Sequence, residues 1–482
     1  MDLPHPPLLV DGPAVDETYD IAYLTKYVGK LDTGIAFTDR AYLGALACSP
    51  YSTLVLGNGM EPTTAGDGLA YTTSVAEYRR RDPRLHIVNG LGSYVGHLRD
   101  GYLPEHRTAH KVAVLHEEPA AFDFYATDVW NRRHVRDVLM AAQDGFVFVS
   151  RRSRDLWAEY AGLVDVPMHL LPNTGAEEEH IAANLADRER ADIARALGFE
   201  EDVLNVVVVG TVQRLKAQLD VVEAIRRLRA ARPGLAVHLR LVGRTREHAY
   251  RDELDAFIAQ HDLGDVVTVV GEVAKPRALE HIAAADVLVL ASHTEAMPLV
   301  LLEAMQLRTP IVATVVGAVP EMLGDSAAAL VDVGDIDAIG AQVERVADDP
   351  AWAQRMASAA AARYWHEFSN ARFRARFEEV LGAMAADAGL QAAPAARTAA
   401  ELLVLDGLPA SARQWRSMLA EQRAPLDRVE LRLPGTSLLA ALDLAAPLAR
   451  LGLAVTEIDS STGRVVCEPD DAAALLPARE VL

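Results

Sequence analysis

The stretch Thr294–Met305, TEAMPLVLLEAM, decides how the chain is read. It holds a proline, a run of aliphatic residues and two glutamates, Glu295 and Glu303, in an E-x7-E spacing. Pro298 suits the first position of a helix, where its missing N–H costs nothing, so the amides of Leu299 and Val300 lie unpaired in the opening turn. Such a turn is an anion site. This places Glu295 in the loop before the helix and Glu303 on its second turn. The gap between them suits a polyhydroxy ligand whose phosphates rest on the helix start, because sugar hydroxyls seek carboxylate acceptors. Two glutamates alone also fit an amphipathic helix with ordinary capping acids.

The flanks narrow the choice. Residues 285–321, ADVLVLASHTEAMPLVLLEAMQLRTPIVATVVGAVPE, read as a hydrophobic strand, a loop, the helix, a second strand at Pro310–Thr314 and a turn at Val316–Glu321. The E-x7-E pair, the Pro-Leu-Val-Leu-Leu-Glu core and the later G-x-x-x-E, here Gly317 and Glu321, resemble the nucleotide-sugar-binding domain of the retaining glycosyltransferases of family 4. These are also called glycosyl transferases group 1. The resemblance covers about residues 20 to 386. It implies an α/β fold of two facing Rossmann-like domains (GT-B), to which this chain adds a small C-terminal α+β module.

Bulk composition is consistent with that. A length of 482 residues suggests about three domains. With 50% hydrophobic and 24% charged residues the chain reads as globular. A formal charge of −21 argues against nucleic acid as the main partner. Cys48 and Cys467 are too few for a disulfide framework, so a reducing cytoplasm is expected. The acidic, proline-rich start MDLPHPPLLVDGPAVDE has no basic region or long apolar core, and no apolar run of about 18 residues occurs. Secretion and membrane spanning are not expected. The basic run Tyr78–Arg84 fits a solvated helix end, or a patch for peripheral contact with the inner face of a membrane or for a phosphorylated acceptor.

In chain order, Asp20–Tyr27 reads as a first strand, followed by a loop bearing Thr33 and Gly34 and a helix from Ile35 to about Cys48. Further strands at Ser52–Leu56, Leu85–Val88, Lys111–Leu115 and Gly145–Ser150 make βα units and a parallel sheet. Gly34 is either a plain turn glycine or one that lets the backbone approach a ligand closely. His116 stands at the carboxyl end of an inner strand, where ligands bind in open α/β sheets. A lone histidine is more often structural; the resemblance implies that it faces the transferred sugar. His169–Thr174, HLLPNT, resembles the family's entry to the hinge.

Asn205–Gly210, NVVVVG, is a β-branched strand suited to burial on both faces, and its loop places Arg214 and Lys216 before a helix, where cations neutralise a pyrophosphate. The family's lysine falls on Lys216. Thr211 stands where arginine is commonest and Ala217 where glycine is, which leaves open whether Arg214 replaces the missing arginine. Strands His238–Gly243 and Val266–Gly271 end in glycine; the family's base-reading turn falls on Gly271 and Val273. Ala351–Ala386 reads as one long helix, with Trp365 and Phe368 packing it onto the first domain. Residues 389–397 read as a linker. Beyond it, the strands and helices are ordered βαβαββ, with an edge strand open to a second chain or a protein partner.

The resulting domains are 1–190, an acceptor-side Rossmann-like domain; 191–365, the nucleotide-sugar domain; 366–388, a crossover helix; 389–397, a linker; and 398–482, an accessory module. The activity implied by the resemblance is metal-independent, retaining hexosyl transfer from a nucleoside diphosphate sugar to a hydroxyl acceptor, with no cofactor. His116, Lys216 and Glu295 carry the chemistry. Gly34, Arg214, Lys216, Gly271, Val273, Glu295, Met297, Leu299, Val300 and Glu303 hold the donor. A nucleotide-sugar epimerase or hydrolase of the same fold and a non-catalytic sugar-nucleotide scaffold are the alternatives.

Overall fold

The computed structural model describes residues 19–25, 34–57, 69–72, 83–90, 109–119, 140–175, 181, 185, 188–324 and 326–391, and four strands within 401–469. Its contacts divide the chain into two units, Met1–Asn173 with Arg376–Ala395, and Thr174–Ala375 with Ala396–Leu482. The first division falls within HLLPNT.

The described residues of the first unit form a seven-stranded sheet ordered β3-β2-β1-β4-β5-β6-β7. The strands are β1 Ile21–Thr25, β2 Thr53–Gly57, β3 Leu69–Thr72, β4 Leu85–Asn89, β5 His110–Leu115, β6 Gly145–Phe148 and β7 Met168–Leu170. All neighbours run parallel. Parallel sheets are covered on both faces, which is why β1, β2, β4 and β6 are buried at every position. Strands β3 and β7 were not anticipated; each is a short edge strand without a long apolar run. The first helix, α1 Gly34–Ala47, starts on the expected loop glycine, whereas Thr33 lies outside the described residues. So do residues 78–82 of the basic run.

In the second unit β8 Leu204–Val209, β9 Val237–Val242, β10 Val267–Gly271, β11 Val287–Leu290, β12 Ile311–Thr314 and β13 Ala329–Val331 form a parallel sheet ordered β10-β9-β8-β11-β12-β13. Helices α2 Gln218–Ala231, α3 His248–Gln260, α4 Lys275–Ala284 and α5 Leu299–Gln306 connect them. Val206, Val221, Ile225, Leu239, Val289 and Val312 are among the buried residues of the core between sheet and helices. In both sheets the strand order reverses at one point, between β1 and β4 and between β8 and β11, and ligands bind open α/β sheets outside the carboxyl ends there.

Three local expectations are corrected. The single long helix is two, α6 Pro350–Glu367 and α7 Asn370–Asp387. The sequence Phe-Ser-Asn breaks it: Phe368 leaves helical geometry, and the Ser369 hydroxyl accepts the Arg372 amide at 3.3 Å to start the next helix. The Thr174 hydroxyl donates to the Phe368 carbonyl freed by the break, at 2.8 Å. The aromatic that meets the first unit's core is Phe377, whose ring lies edge-on to Tyr42 with centroids 5.4 Å apart, whereas Trp365 and Phe368 belong to the second unit. The turn expected at Val316–Glu321 ends in a short helix, Val319–Leu323.

In the tail, β14 Glu401–Asp406, β15 Leu426–Arg432, β16 Leu453–Asp459 and β17 Arg464–Pro469 form a sheet ordered β14-β15-β17-β16. The first pair is parallel and the others antiparallel, the pattern that βαβαββ requires. The helices expected between these strands lie outside the described residues.

Candidate active site

In the second unit the site is built on loops at the carboxyl ends of β8, β10, β11 and β12. After β8 the chain passes through a single 3-10 turn, Arg214–Lys216, to Ala217, which adopts the left-handed conformation (φ 49°, ψ 41°) and starts α2. L-residues avoid this region and glycine does not, so the strain sits where the family commonly has glycine. The turn aims Lys216 across the point of reversal at the loop after β11. There the Lys216 Nζ lies 2.5 Å from the Glu295 Oε1, which also accepts from the Ser292 hydroxyl at 2.7 Å.

Helix α5 begins one residue later than expected. Pro298 is extended (φ −72°, ψ 116°) and caps the helix from outside, with no side-chain hydrogen bond. Leu299 and Val300 are therefore its first two residues, and their amides have no acceptor in earlier backbone among the described residues. Glu303, on the buried face, pairs with Lys275 at the start of α4. Met297 is buried beside this turn.

Gly317 brings the next loop against this one. With φ at 50°, its position has no room for a side chain: a Cβ there would fall 1.6 Å from the Glu295 carbonyl oxygen. The adjoining Ala318 amide donates to the Ala296 carbonyl at 2.8 Å. Glu321 lies in the short helix beyond, where its carbonyl and that of Met322 accept from the Arg363 guanidinium at 2.7 and 2.6 Å. Gly271 ends β10, and its carbonyl accepts the Gly243 amide at 2.8 Å, with Val273 partly buried just beyond.

Lys216 and Glu295 thus come together, and Glu303 lies on the helix that opens beside them. Arg214 turns away: its guanidinium meets Glu253 of α3 at 2.6 Å and lies 5.1 Å from the centre of the Tyr250 ring. Lys275 and Ser292 went unremarked in the sequence, although Lys275 opens the helix that follows β10 and Ser292 lies between β11 and Glu295.

The first unit has its own polar cluster at the carboxyl ends of β1, β4 and β5. His116 follows β5, and its Nε2 lies 2.6 Å from the Asn89 Oδ1. The Asn89 Nδ2 donates to Asp39 of α1 at 2.6 Å, and Asp39 also accepts from Tyr23 at 2.7 Å and Thr25 at 2.6 Å. Burial outweighs these three donors and pushes the Asp39 carboxyl up to about 6, while burial pulls the His116 imidazole down to about 4. Glu117 is pushed up to about 7 for the same reason, despite backbone hydrogen bonds that favour its charged form. The Trp157 indole pins this turn by donating to the Glu117 carbonyl at 2.7 Å. Gly34 begins α1, the helix that carries Asp39. Asp39 and Asn89 were not singled out in the sequence.

Residues 189–363 match the family model described as glycosyl transferases group 1. They form a glycosyl transferases group 1 domain. The Lys216–Glu295 and Lys275–Glu303 pairs, the Leu299 helix start and Gly317 all lie inside this group 1 domain. The D-inositol 3-phosphate glycosyltransferase of Pseudarthrobacter chlorophenolicus is 31% identical over 221 residues, covering 42% of this chain and 52% of that protein. The chain spans about half the length of the curated relatives it matches. Among solved structures, sucrose-phosphate synthase from Thermosynechococcus elongatus aligns with a TM-score of 0.63 at 20% identity, over 76% of this chain and 99% of the other. Anabaena HepE, in complex with UDP and glucose, aligns with a TM-score of 0.61 at 17% identity, over 76% and 99%. These likenesses extend beyond the group 1 domain and establish the GT-B fold. No helix among the described residues is long and apolar enough to cross a membrane, and no group of three or more His, Cys, Asp or Glu residues among them is arranged to hold a metal ion.

Proposed function

We propose that this protein is a retaining glycosyltransferase that moves a hexose from a nucleoside diphosphate sugar to a hydroxyl acceptor without a metal ion. The observation that carries the reading is the ammonium of Lys216 on the carboxylate of Glu295, one loop away from a helix start whose first amides have no backbone acceptor among the described residues. A departing nucleoside diphosphate gains negative charge as the sugar–oxygen bond breaks. Lys216 and the amides of Leu299 and Val300 stabilise that charge in place, and they do so more strongly in the transition state than before it. Glu295 then holds hydroxyls of the donor sugar, and Glu303 those of the ribose. Gly271, Val273 and Met297 line the nucleotide side through backbone and apolar contact. Arg214 is held by Glu253 and acts at most as an outlying cation of this site.

The donor class also draws on the relatives, whose names describe glycosyltransferases, and on the fold neighbour solved with UDP and glucose. A UDP-hexose is therefore the first donor to test. The acceptor enters on the first unit, near His116, and the reaction takes place in the cytoplasm. The tail folds as its own module and recruits a partner or a second copy through an edge strand.

The test is sugar transfer with the wild type, Glu295→Ala and Lys216→Ala, reading the anomeric configuration of the first product. Removing the Lys216 stabiliser of developing charge costs about 3 kcal/mol, on the order of a hundredfold in kcat, and removing the charged hydrogen-bond acceptor Glu295 costs about 2 kcal/mol, roughly thirtyfold in kcat/KM. Full activity in both, or an inverted product, sinks the assignment. Free or epimerised sugar formed from donor alone would instead favour hydrolysis or epimerisation, for which Glu117, pushed up to about 7, supplies an acid–base group.

A further inference from the structure

Outside the group 1 domain, the cluster that ordinary packing leaves unexplained is the one around Asp39. A carboxylate that is 1% exposed, with no cation among its described partners, is expensive, and it is kept at the point where the first sheet reverses its strand order. Its donors come from β1, at Tyr23 and the terminal Thr25, and from Asn89 at the end of β4. Their chemistry fixes a direction. An ionised carboxylate only accepts hydrogen bonds, so the Asn89 amide turns its NH2 to Asp39 and its oxygen to His116. That oxygen in turn accepts, so the Nε2 of His116 carries the hydrogen. The Nδ1 is left as a lone pair, and it is buried without a hydrogen-bond partner among the described residues. The Tyr42 ring lies edge-on to the imidazole with centroids 6.3 Å apart, and Phe377 lies edge-on to Tyr42, which limits the ring's rotation.

We propose that Asp39 and Asn89 are positioning residues that lock His116 as its Nε2–H tautomer, so that Nδ1 accepts a hydrogen bond from a hydroxyl of a sugar ligand. A buried acceptor without a partner costs free energy that a ligand hydroxyl recovers on binding. The neutral imidazole follows from the same burial that holds its proton affinity down. The ligand half of this inference rests on the glycosyltransferase reading; the tautomer half does not.

The experiment is nitrogen NMR of histidine-labelled full-length protein, with the His116 signals assigned by their loss in His116→Gln. At pH 7 the wild type should show a neutral His116 ring with the proton on Nε2. A proton on Nδ1, or an imidazolium, overturns the proposal whatever the enzyme does. Asp39→Asn offers an N–H where only acceptors stood, and Asn89→Leu removes the relay, so each should mix the two tautomers. Retention of a pure Nε2–H form in folded Asn89→Leu also overturns it, and if neither variant folds the wild-type spectrum alone decides. With whichever nucleoside diphosphate hexose supports transfer by the wild type, the folded variants should lose about tenfold in kcat/KM, as expected for one hydrogen bond of about 1.4 kcal/mol. Unchanged kcat/KM alongside mixed tautomers refutes the ligand half only. Absence of transfer by the wild type would instead count against the glycosyltransferase reading and leave the tautomer result standing.

Discussion

Glu295 and Glu303 in the second unit each face a lysine, whereas Asp39 in the first unit is met, among the described residues, only by hydroxyls and an amide. Both arrangements stand at the carboxyl ends of a parallel sheet beside its point of reversal. On the proposed function, the difference in partners goes with a difference in ligand. Lysine ammonium groups beside carboxylates suit a ligand that brings its own negative charge, because a diphosphate can take over the lysine while ribose or sugar hydroxyls take over the carboxylate. A buried network with no cation among its described residues has little to offer an anion. Its useful output is one oriented neutral acceptor, suited to a hydroxyl.

The comparison can be broken most sharply at Gly317. Alanine there adds a Cβ where the Glu295 carbonyl oxygen stands 1.6 Å away, at a φ of 50° that also strains any L-residue. Gly317→Ala should destabilise the protein by about 3 kcal/mol or more, read by denaturant unfolding, and abolish donor binding by displacing the Glu295 loop. A stable variant with normal donor affinity would show that the two loops need not touch.

Next in size is the titration of Glu117. Its folded value of about 7 lies above the ordinary 4.5, so the carboxyl's contribution to stability is fully present below about pH 4.5 and is lost as the pH rises through about 7. Glutamine does not titrate. Glu117→Gln should therefore gain about 2 kcal/mol on the wild type between pH 4 and pH 8, allowing for partial solvent access. Equal pH dependence of the two melting curves would mean that this turn does not bury the Glu117 carboxyl.

The smallest effect tests the loop that carries Lys216. Glycine relieves the left-handed conformation of Ala217, and the added freedom of the unfolded chain offsets part of the gain. Ala217→Gly should raise stability by up to about 1 kcal/mol with the Lys216-dependent donor affinity unchanged. A loss of stability would place this loop in another conformation in solution.

The two sites also differ in how far they could be read from sequence. The group 1 domain was legible because its parts are local: Glu295, Glu303, Gly317 and Glu321 lie on one strand–helix–strand segment, and their spacing mirrors the turn of a helix and the return of a loop. Lys275 escaped because its partner Glu303 lies one βα unit further along the chain, and only the parallel sheet brings them together. In the first unit His116 was visible from its place after a strand. Asp39 and Asn89 were not, since the network joins α1, β4 and β5 across loops with no fixed spacing. The helix break at Phe368 was hidden for a different reason: aromatic and alanine residues continue the helical pattern through it, and the capping strength of Ser369 decides the matter.

The central claim, that the group 1 domain binds a nucleoside diphosphate sugar through Lys216, is most directly tested by thermal unfolding in the presence of a panel of nucleoside diphosphate hexoses, UDP-glucose first. A ligand at a hundred times its dissociation constant stabilises by about 2.7 kcal/mol. At least one donor should raise the melting temperature of the wild type and raise that of Lys216→Ala by clearly less. A panel that leaves the wild type unmoved, or a shift that is undiminished in Lys216→Ala, would contradict it.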